Sequence, residues 1–177
     1  MTSWFSKLTG NGRLTLDNLE GVLALQLRDL YSAEVQLIAA LPKMAEAAQS
    51  PDLKTALQSH LEETRAHKLR LEQAFKLLGQ RPQPETCEAM QGLISEGEEI
   101  VQAEGDAEVK DAALIAAAQR IEHYEVAGYG CARSFARRLG LSEVAALLQN
   151  TLEEESRADM ILTEIAEDSV NVAAVRS

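Results

Sequence analysis

The sequence predicts an all-α protein built as a four-helix bundle, and three observations predict it. Apolar residues recur at intervals of three and four positions along nearly the whole chain, and no stretch longer than a few residues alternates as a strand would. Alanine, leucine and glutamate dominate the composition, and all three favour helix. Turn and cap signals divide the pattern into four long helical segments and one shorter segment.

The first two long helices are predicted from about residue 15 to residue 49 and from residue 51 to residue 79. Pro42 lies late in the first helix, where it predicts a kink or an early end. The stretch Ser50 to Asp52 supplies an N-cap, a proline at the first helical position and an acid in the first turn. Gly79 is expected to end the second helix, since glycine readily adopts the left-handed conformation of helix C-termini.

A long connection separates the second and third long helices. The stretch QRPQPET, from residue 80, is loop-like, and the amphipathic stretch that follows is short and predicts one crossing helix. The third long helix is predicted over residues 106–139, and the fourth from residue 142 to at least residue 168. Four long helices with one long crossover are typical of the ferritin-like four-helix bundle.

The chain is expected to form one domain, because its 177 residues suit a single sizeable core. We assign residues 15–169 to the ferritin-like four-helix bundle. Residues 1–14 and 170–177 are treated as an N-terminal and a C-terminal tail.

Charge and composition argue against several partners. The formal net charge is −11, and no cluster of basic and aromatic residues is present, so we expect no nucleic-acid partner. The N-terminus lacks the apolar core of a signal peptide, and no run of about 18 apolar residues could span a bilayer, so we expect a cytoplasmic protein with no membrane partner.

Cys87 and Cys131 form no CxxC pair and are expected to be buried or half-buried thiols.

Two segments of the chain repeat one motif. The stretch Glu62 to His67, EETRAH, aligns with Glu154 to Asp159, EESRAD, and every position except the last is identical or similar. A Glu-Val pair also occurs in the first helix, at Glu34, and in the third long helix, at Glu125. Two helical hairpins, each with a glutamate midway along both helices, predict approximate twofold symmetry.

Acids interrupt the apolar stripe near the middle of each long helix. These acids are Glu34, Glu63, Glu122, Glu125 and Glu155. Because an α-helix turns about 100° per residue, His60 and His67 flank Glu63 on one helix face, and Asp159 lies beside Glu155. Carboxylates at equal depth in all four helices are expected to meet at the bundle axis.

A buried cluster of carboxylates needs protons, cationic side chains or metal ions to balance its charge. Carboxylates and imidazoles that project inward from four helices form the ligand set of a dinuclear iron or manganese site. We expect Glu34 and Glu125 to bridge or span the two metals, and it is open which histidine coordinates. The candidate metal ligands are Glu34, His60, Glu63, His67, Glu122, Glu125, Glu155 and Asp159.

Other residues near this cluster are expected to lie outside it. His123 is about 100° from the stripe, and Arg65 and Arg157 are about 160° from the inward-facing residues of their helices, so we predict surface positions for them. Tyr31, one turn before Glu34, is predicted either to hydrogen-bond to a ligand or to pack in the core.

Five stretches of the chain point to a known family. They are DLYSAEVQL, HLEET, CEAMQGLISE, DAALIAAAQRIEHYEVAGYG and TLEEESRAD. Together they resemble the YciE/YciF family of ferritin-like bacterial stress proteins, which look distantly similar to rubrerythrins. The resemblance implies a ferritin-like bundle, a homodimer, a metal-binding role and a link to stress responses. It places Glu34, Glu63, Glu125 and Glu155 at the carboxylate positions of the family.

Three functions are compatible with this pattern. The first is a metal-binding protein whose dinuclear iron or manganese site oxidises ferrous iron or removes peroxide, with dioxygen or peroxide as reactant. The second is a non-enzymatic stress protein whose metal site is structural and whose working surface is a protein interface. The third is a plain helical bundle whose inner acids are protonated or paired with arginine.

Overall fold

The computed structural model describes residues 16–82 and 85–176, and all regular elements there are helical, as predicted. The predicted N-terminal tail and the first residue of the predicted bundle lie outside the described residues. None of the described helices is both long and apolar enough to cross a membrane. The helices are α1 Leu19–Ala47, α2 Pro51–Leu77, α3 Glu88–Gln102, α4 Ala107–Arg138, α5 Ser142–Ile165 and, after a π-helical turn at Ala166–Val170, α6 Asn171–Ala174.

Local sequence signals set the ends of the first two helices. The side chain of Asn18 caps α1, which therefore begins later than the predicted residue 15. Ser50 caps α2, as predicted. Gly79 has a φ of 66° just after α2, in the left-handed region that favours glycine. Pro42 lies inside α1 and does not end it, since the helix continues for five more residues to Ala47.

The four long helices form a closed ring. Helix α1 packs against α2, α2 against α5, α5 against α4, and α4 against α1. The short helix α3 crosses over α1 and α4, where the sequence predicts one crossing helix between the second and third long helices. This arrangement confirms the four-helix bundle with a long crossover.

Two apolar clusters fill the bundle and leave a polar layer between them. One cluster contains Leu37 of α1 and Leu114 of α4, and the other contains Leu27 of α1 and Tyr129 of α4. Each long helix passes from one cluster to the other near its middle. The acids that interrupt the apolar stripes therefore lie between two dry packing layers.

Two features differ from the sequence-based expectations. The helical stretch after α5 passes the predicted bundle boundary at residue 169, and Val170 is buried in an apolar cluster. Cys87 is buried, as predicted, but Cys131 is exposed, so the prediction for Cys131 is wrong. Cys131 lies on the solvent-facing side of α4.

Candidate metal centre

Six titratable side chains occupy the polar layer between the apolar clusters. All four long helices contribute, as the interrupted stripes predict. Each of these residues is at most 5% exposed to solvent. The six residues are Glu34, His60, His67, Glu122, Glu125 and Glu155.

The possible ligand atoms form two groups, and Glu155 belongs to both. Within each group, one ligand atom of every residue lies within 4.8 Å of the others. The His60 group consists of His60, Glu122, Glu125 and Glu155. The His67 group consists of Glu34, His67 and Glu155. The shared position thus belongs to Glu155, whereas the sequence analysis gave the bridging positions to Glu34 and Glu125.

His67 is held from outside by a second carboxylate. Its Nε2 lies 2.8 Å from Oε2 of Glu154, and Arg70 donates two hydrogen bonds to the same carboxylate. Its Nδ1 faces inward, 2.9 Å from Oε1 of Glu155 and 3.5 Å from Oε1 of Glu34. A carboxylate on the outer ring nitrogen commonly orients a metal-binding histidine. The sequence analysis missed Glu154 and Arg70, which are partly exposed and look like surface charges.

His60 lies between the rim of the bundle and its core. Its Nδ1 is 3.6 Å from Oε2 of Glu63, and its Nε2 is 3.4 Å from Oε1 of Glu122 and 3.7 Å from Oε2 of Glu155. Neither ring nitrogen has an aligned hydrogen-bond partner among the described residues. The two histidines that the sequence left as alternatives therefore lie one in each group.

A buried tyrosine supports the His67 group. Tyr129 is fully buried, and its hydroxyl donates a hydrogen bond to Oε1 of Glu34. Tyr129 was not among the candidate residues, although its place one turn after Glu125 is a signal visible in the sequence. Tyr31 instead donates to Glu72 over 3.0 Å, so its hydroxyl serves a partner outside the two groups.

Glu63 and Asp159, both candidates from the sequence, lie outside the two groups. Glu63 keeps 35% of its side chain exposed, and its Oε1 is 3.9 Å from Nη1 of Arg157. Asp159 accepts a hydrogen bond from Gln119 over 3.1 Å and lies 3.3 Å from Nε2 of His123. The side chain of His123 is 72% exposed, which confirms its predicted place outside the cluster.

Burial and mutual repulsion control the protonation of the inner acids. Burial raises the pKa of Glu122 and of Glu125 well above the ordinary value, and neighbouring carboxylates raise both further. Burial also raises the pKa of Glu34, against the opposing effect of His67. For Glu155, the nearby imidazolium groups outweigh burial and lower the pKa.

Burial shifts the pKa of the two histidines in the opposite direction from the pKa of the acids. Burial lowers the pKa of each imidazole, but the surrounding carboxylates outweigh it. Glu122 contributes most to raising the pKa of His60 to about 9, and Glu155 contributes most to raising the pKa of His67 to about 11. At neutral pH both imidazoles of the metal-free centre therefore carry a proton, and the raised pKa of the buried acids favours their protonated forms.

The unpaired atoms of the centre show whether its side chains fit metal ions. A buried polar atom without a partner costs about 1–3 kcal/mol, so a plain bundle gains nothing from such a layer. Carboxylate oxygens and imidazole nitrogens are suitable ligands for iron and manganese. The donor set therefore fits a dinuclear centre. Atoms without an aligned hydrogen-bond partner occur in Glu34, His60, His67, Glu122, Glu125 and Glu155.

Fold and centre together define a ferritin-like four-helix bundle protein with a buried layer of carboxylates and histidines. The chain belongs to the family described as Domain of unknown function (DUF892), which matches residues 18–175. It is 42% identical to Protein YciF of Escherichia coli strain K12 over 162 residues, which cover 91% of this chain and 98% of that protein. The family resemblance drawn from the sequence motifs is confirmed.

Solved structures share this fold. The crystal structure of the E. coli stress protein YciF superimposes with a TM-score of 0.85 at 43% identity, covering 88% of this chain and 99% of that chain. YcfI from Rhodopseudomonas palustris gives a TM-score of 0.81 at 43% identity, covering 85% and 97%. A protein from Xanthomonas campestris, at 22% identity and a TM-score of 0.71, covers 90% and 98% and shares the fold alone.

Proposed function

We propose that the polar layer binds two iron or manganese ions and uses them to oxidise ferrous iron or to remove peroxide during stress. The observation that carries the proposal is the pair of ligand groups joined by Glu155. A carboxylate common to two groups is suited to bridge two cations, as in dinuclear carboxylate sites. The relation to YciF, described as a stress protein, supports the stress context.

Two ions need two sets of ligands, and the groups supply them. His60, Glu122 and Glu125 would hold one ion, Glu34 and His67 the other, and Glu155 both. When bound, a pair of iron or manganese ions supplies the electrons that reduce dioxygen or peroxide.

The chain itself orients the ligands and keeps water away. Glu154, held by Arg70, fixes the ring of His67 with Nδ1 inward. Tyr129 fixes Oε1 of Glu34 and leaves Oε2 without an aligned partner. The apolar clusters above and below exclude water, which strengthens the attraction between carboxylates and cations.

Metal analysis and ferrous oxidation test the proposal. Protein loaded with ferrous iron without oxygen should retain about two ions per chain, the number that a dinuclear site holds. Near-ultraviolet absorbance should then rise quickly when oxygen or peroxide is added. Glu155→Ala should lose both bound ions, whereas Glu153→Ala, an exposed acid in the same helix, should behave as wild type. Wild-type protein that retains neither iron nor manganese would refute the proposal.

A structural metal site in a non-enzymatic stress protein is the second candidate, and the depth of burial favours it. Glu34, His67 and Glu155 have no exposed side-chain surface. Ions held there are shielded from reactants. In this case metal should raise the melting temperature strongly, while wild-type protein oxidises ferrous iron no faster than Glu155→Ala.

We also propose that the chain works as a cytoplasmic homodimer. The family resemblance supports this state, and large apolar side chains such as Leu69, Met160 and Ile161 are exposed and available for a second copy to cover. Light scattering should give a mass of twice 19.3 kDa. A monomer mass at micromolar concentration contradicts the dimer, and cell fractionation checks the compartment.

A further inference from the structure

We infer that Glu63 admits divalent cations to the buried centre and that Arg157 limits their access. This inference rests on the proposed metal centre and concerns how cations reach it. The carboxylate of Glu63 connects the surface with the core, since 35% of the side chain is exposed while Oε2 lies 3.6 Å from Nδ1 of His60. A carboxylate in that position can take a hydrated cation from solvent and pass it inward.

His60 provides the inner step of this path. Its side chain is 7% exposed, and neither ring nitrogen has an aligned hydrogen-bond partner among the described residues. Nε2 lies 3.4 Å from Oε1 of Glu122 and 3.7 Å from Oε2 of Glu155. A buried imidazole without an aligned hydrogen-bond partner, between a rim carboxylate and two core carboxylates, is placed to receive a cation once it releases its proton.

The rim beside His67 is less suited to admit a cation than the rim beside His60. Glu154 contacts His67 from the rim, but two hydrogen bonds from Arg70 occupy its carboxylate. A guanidinium fixed at that position repels an approaching cation. The carboxylate on the His67 rim is therefore already held by an arginine, although each rim contains a glutamate against an imidazole.

Arg157 makes a much looser contact with Glu63. Its Nη1 is 3.9 Å from Oε1 of Glu63, and its side chain is 57% exposed. An exposed ion pair at this distance contributes little and opens readily. Arg157 can therefore swing into solvent and leave Glu63 free for a cation, while its own charge slows each approach.

Stopped-flow uptake of Co²⁺, followed by the visible absorption of the bound ion, tests the path. At low ionic strength Glu63→Gln should slow uptake roughly tenfold, the lower end of the effect of focused charge on association rates. The number of Co²⁺ ions bound at saturation should stay that of wild type. Glu62→Gln is the matched control, because it removes the same charge from an adjacent carboxylate that is 68% exposed and pairs with Arg65.

The remaining outcomes separate this inference from the proposed centre. Arg157→Gln should take up Co²⁺ faster than Arg65→Gln, and equal rates overturn the part assigned to Arg157. A Glu63→Gln variant that binds fewer ions at saturation shows that Glu63 is a permanent ligand and overturns the inference. An unchanged uptake rate also overturns it. Wild-type protein that binds no Co²⁺ refutes the metal centre itself.

Discussion

The hydroxyl of Tyr129 donates a hydrogen bond to Oε1 of Glu34 inside the fully buried layer of the bundle. This bond joins α4 to α1. The ring of Tyr129 also lies edge-on to His67, with 6.4 Å between the ring centroids. One side chain thus fixes a carboxylate and packs against the imidazole of the same ligand group.

Tyr129→Phe should weaken metal binding while keeping the fold. The variant keeps the ring that packs in the apolar cluster but releases Glu34 from its donor. Loss of such a supporting bond typically lowers metal affinity 10- to 100-fold. Competition with a chelator of known affinity measures the change. Tyr31→Phe is the matched control, because Tyr31 donates to Glu72 instead, and equal losses in both variants contradict the role of Tyr129.

Metal uptake should release protons, and affinity should rise with pH. The surrounding carboxylates raise the pKa of His60 to about 9, so its imidazole carries a proton at pH 7 that a cation must displace. Burial also raises the pKa of Glu122 and of Glu125, which favours the release of further protons on binding. Titration calorimetry in two buffers of different ionisation enthalpy counts the released protons. A binding enthalpy that does not depend on the buffer contradicts this prediction.

The metal-free protein should lose stability as pH rises from 5 to 9. Glu122 and Glu125 stay protonated in the fold above 4.5, where the unfolded chain has released its protons, and His60 does so between 6.5 and about 9. The folded state therefore binds more protons throughout this range, and the free energy of unfolding falls as they are lost. The lowered pKa of Glu155 acts below 4.5, outside the range.

Thermal unfolding in a chelator at pH 5, 7 and 9 measures this trend. The decrease should exceed about 1.4 kcal/mol, the free energy that corresponds to one pKa unit. A melting temperature that rises across the range shows that the inner acids are ionised in the fold. Metal-loaded protein serves as the control, since bound cations keep the carboxylates ionised and should reverse the slope.

Local sequence patterns were sufficient to predict the helices and the level along the bundle at which the polar layer lies. Cap residues such as Ser50 act within one helical turn, so a short stretch of sequence contains the whole signal. The acid that interrupts an apolar stripe likewise marks the polar layer, and Glu34, Glu122, Glu125 and Glu155 are all buried there. Contacts between distant residues have no such signal. The pair Arg70 and Glu154 is 84 positions apart.

The repeated motif gave the wrong register for Glu63. The motif pairs Glu63 with Glu155, yet Glu155 is buried and Glu63 is partly exposed. The buried residues of the two hairpins align instead when each residue of the first hairpin is matched with the residue one position earlier in the second hairpin than the motif would match it. The same register relates Glu34 to Glu125. In that register Glu63 corresponds to Glu154, and each contacts an imidazole from the rim. The matching buried pairs are His60 with Thr151, Thr64 with Glu155, and His67 with Ala158.

Thr64 explains why the inward face of α2 was misplaced. Its hydroxyl donates to the backbone oxygen of His60 over 2.8 Å, so the side chain is buried with its polar atom satisfied. The sequence-based prediction placed Glu63 on the buried face of α2 and did not include Thr64 there. The helix turns this residue inward and leaves Glu63 on the rim.

Asp111 is a buried acid whose role should be structural. It accepts hydrogen bonds from the backbone of Gln49 over 2.9 Å and of Ser50 over 2.6 Å, which tie the connection between α1 and α2 to α4. Asp111→Ala should lower the free energy of unfolding by about 3 kcal/mol, because two backbone donors lose a charged acceptor. Urea denaturation measures this loss. Metal stoichiometry should be that of wild type, and a folded variant that loses metal contradicts the structural role.

Glu125 should favour metal binding at a cost to the stability of the metal-free fold. Both of its oxygens lack an aligned partner among the described residues, and burial with three neighbouring carboxylates raises its pKa. Glu125→Leu replaces an unsatisfied buried group with an apolar side chain, so the metal-free protein should gain about 1–3 kcal/mol. The variant should bind fewer ions. Glu164→Leu, on the exposed face of α5, should change stability by less than about 0.5 kcal/mol. If Glu125→Leu is less stable than wild type in a chelator, the carboxyl group makes a favourable contact even without metal, and the centre is part of the core of a plain bundle.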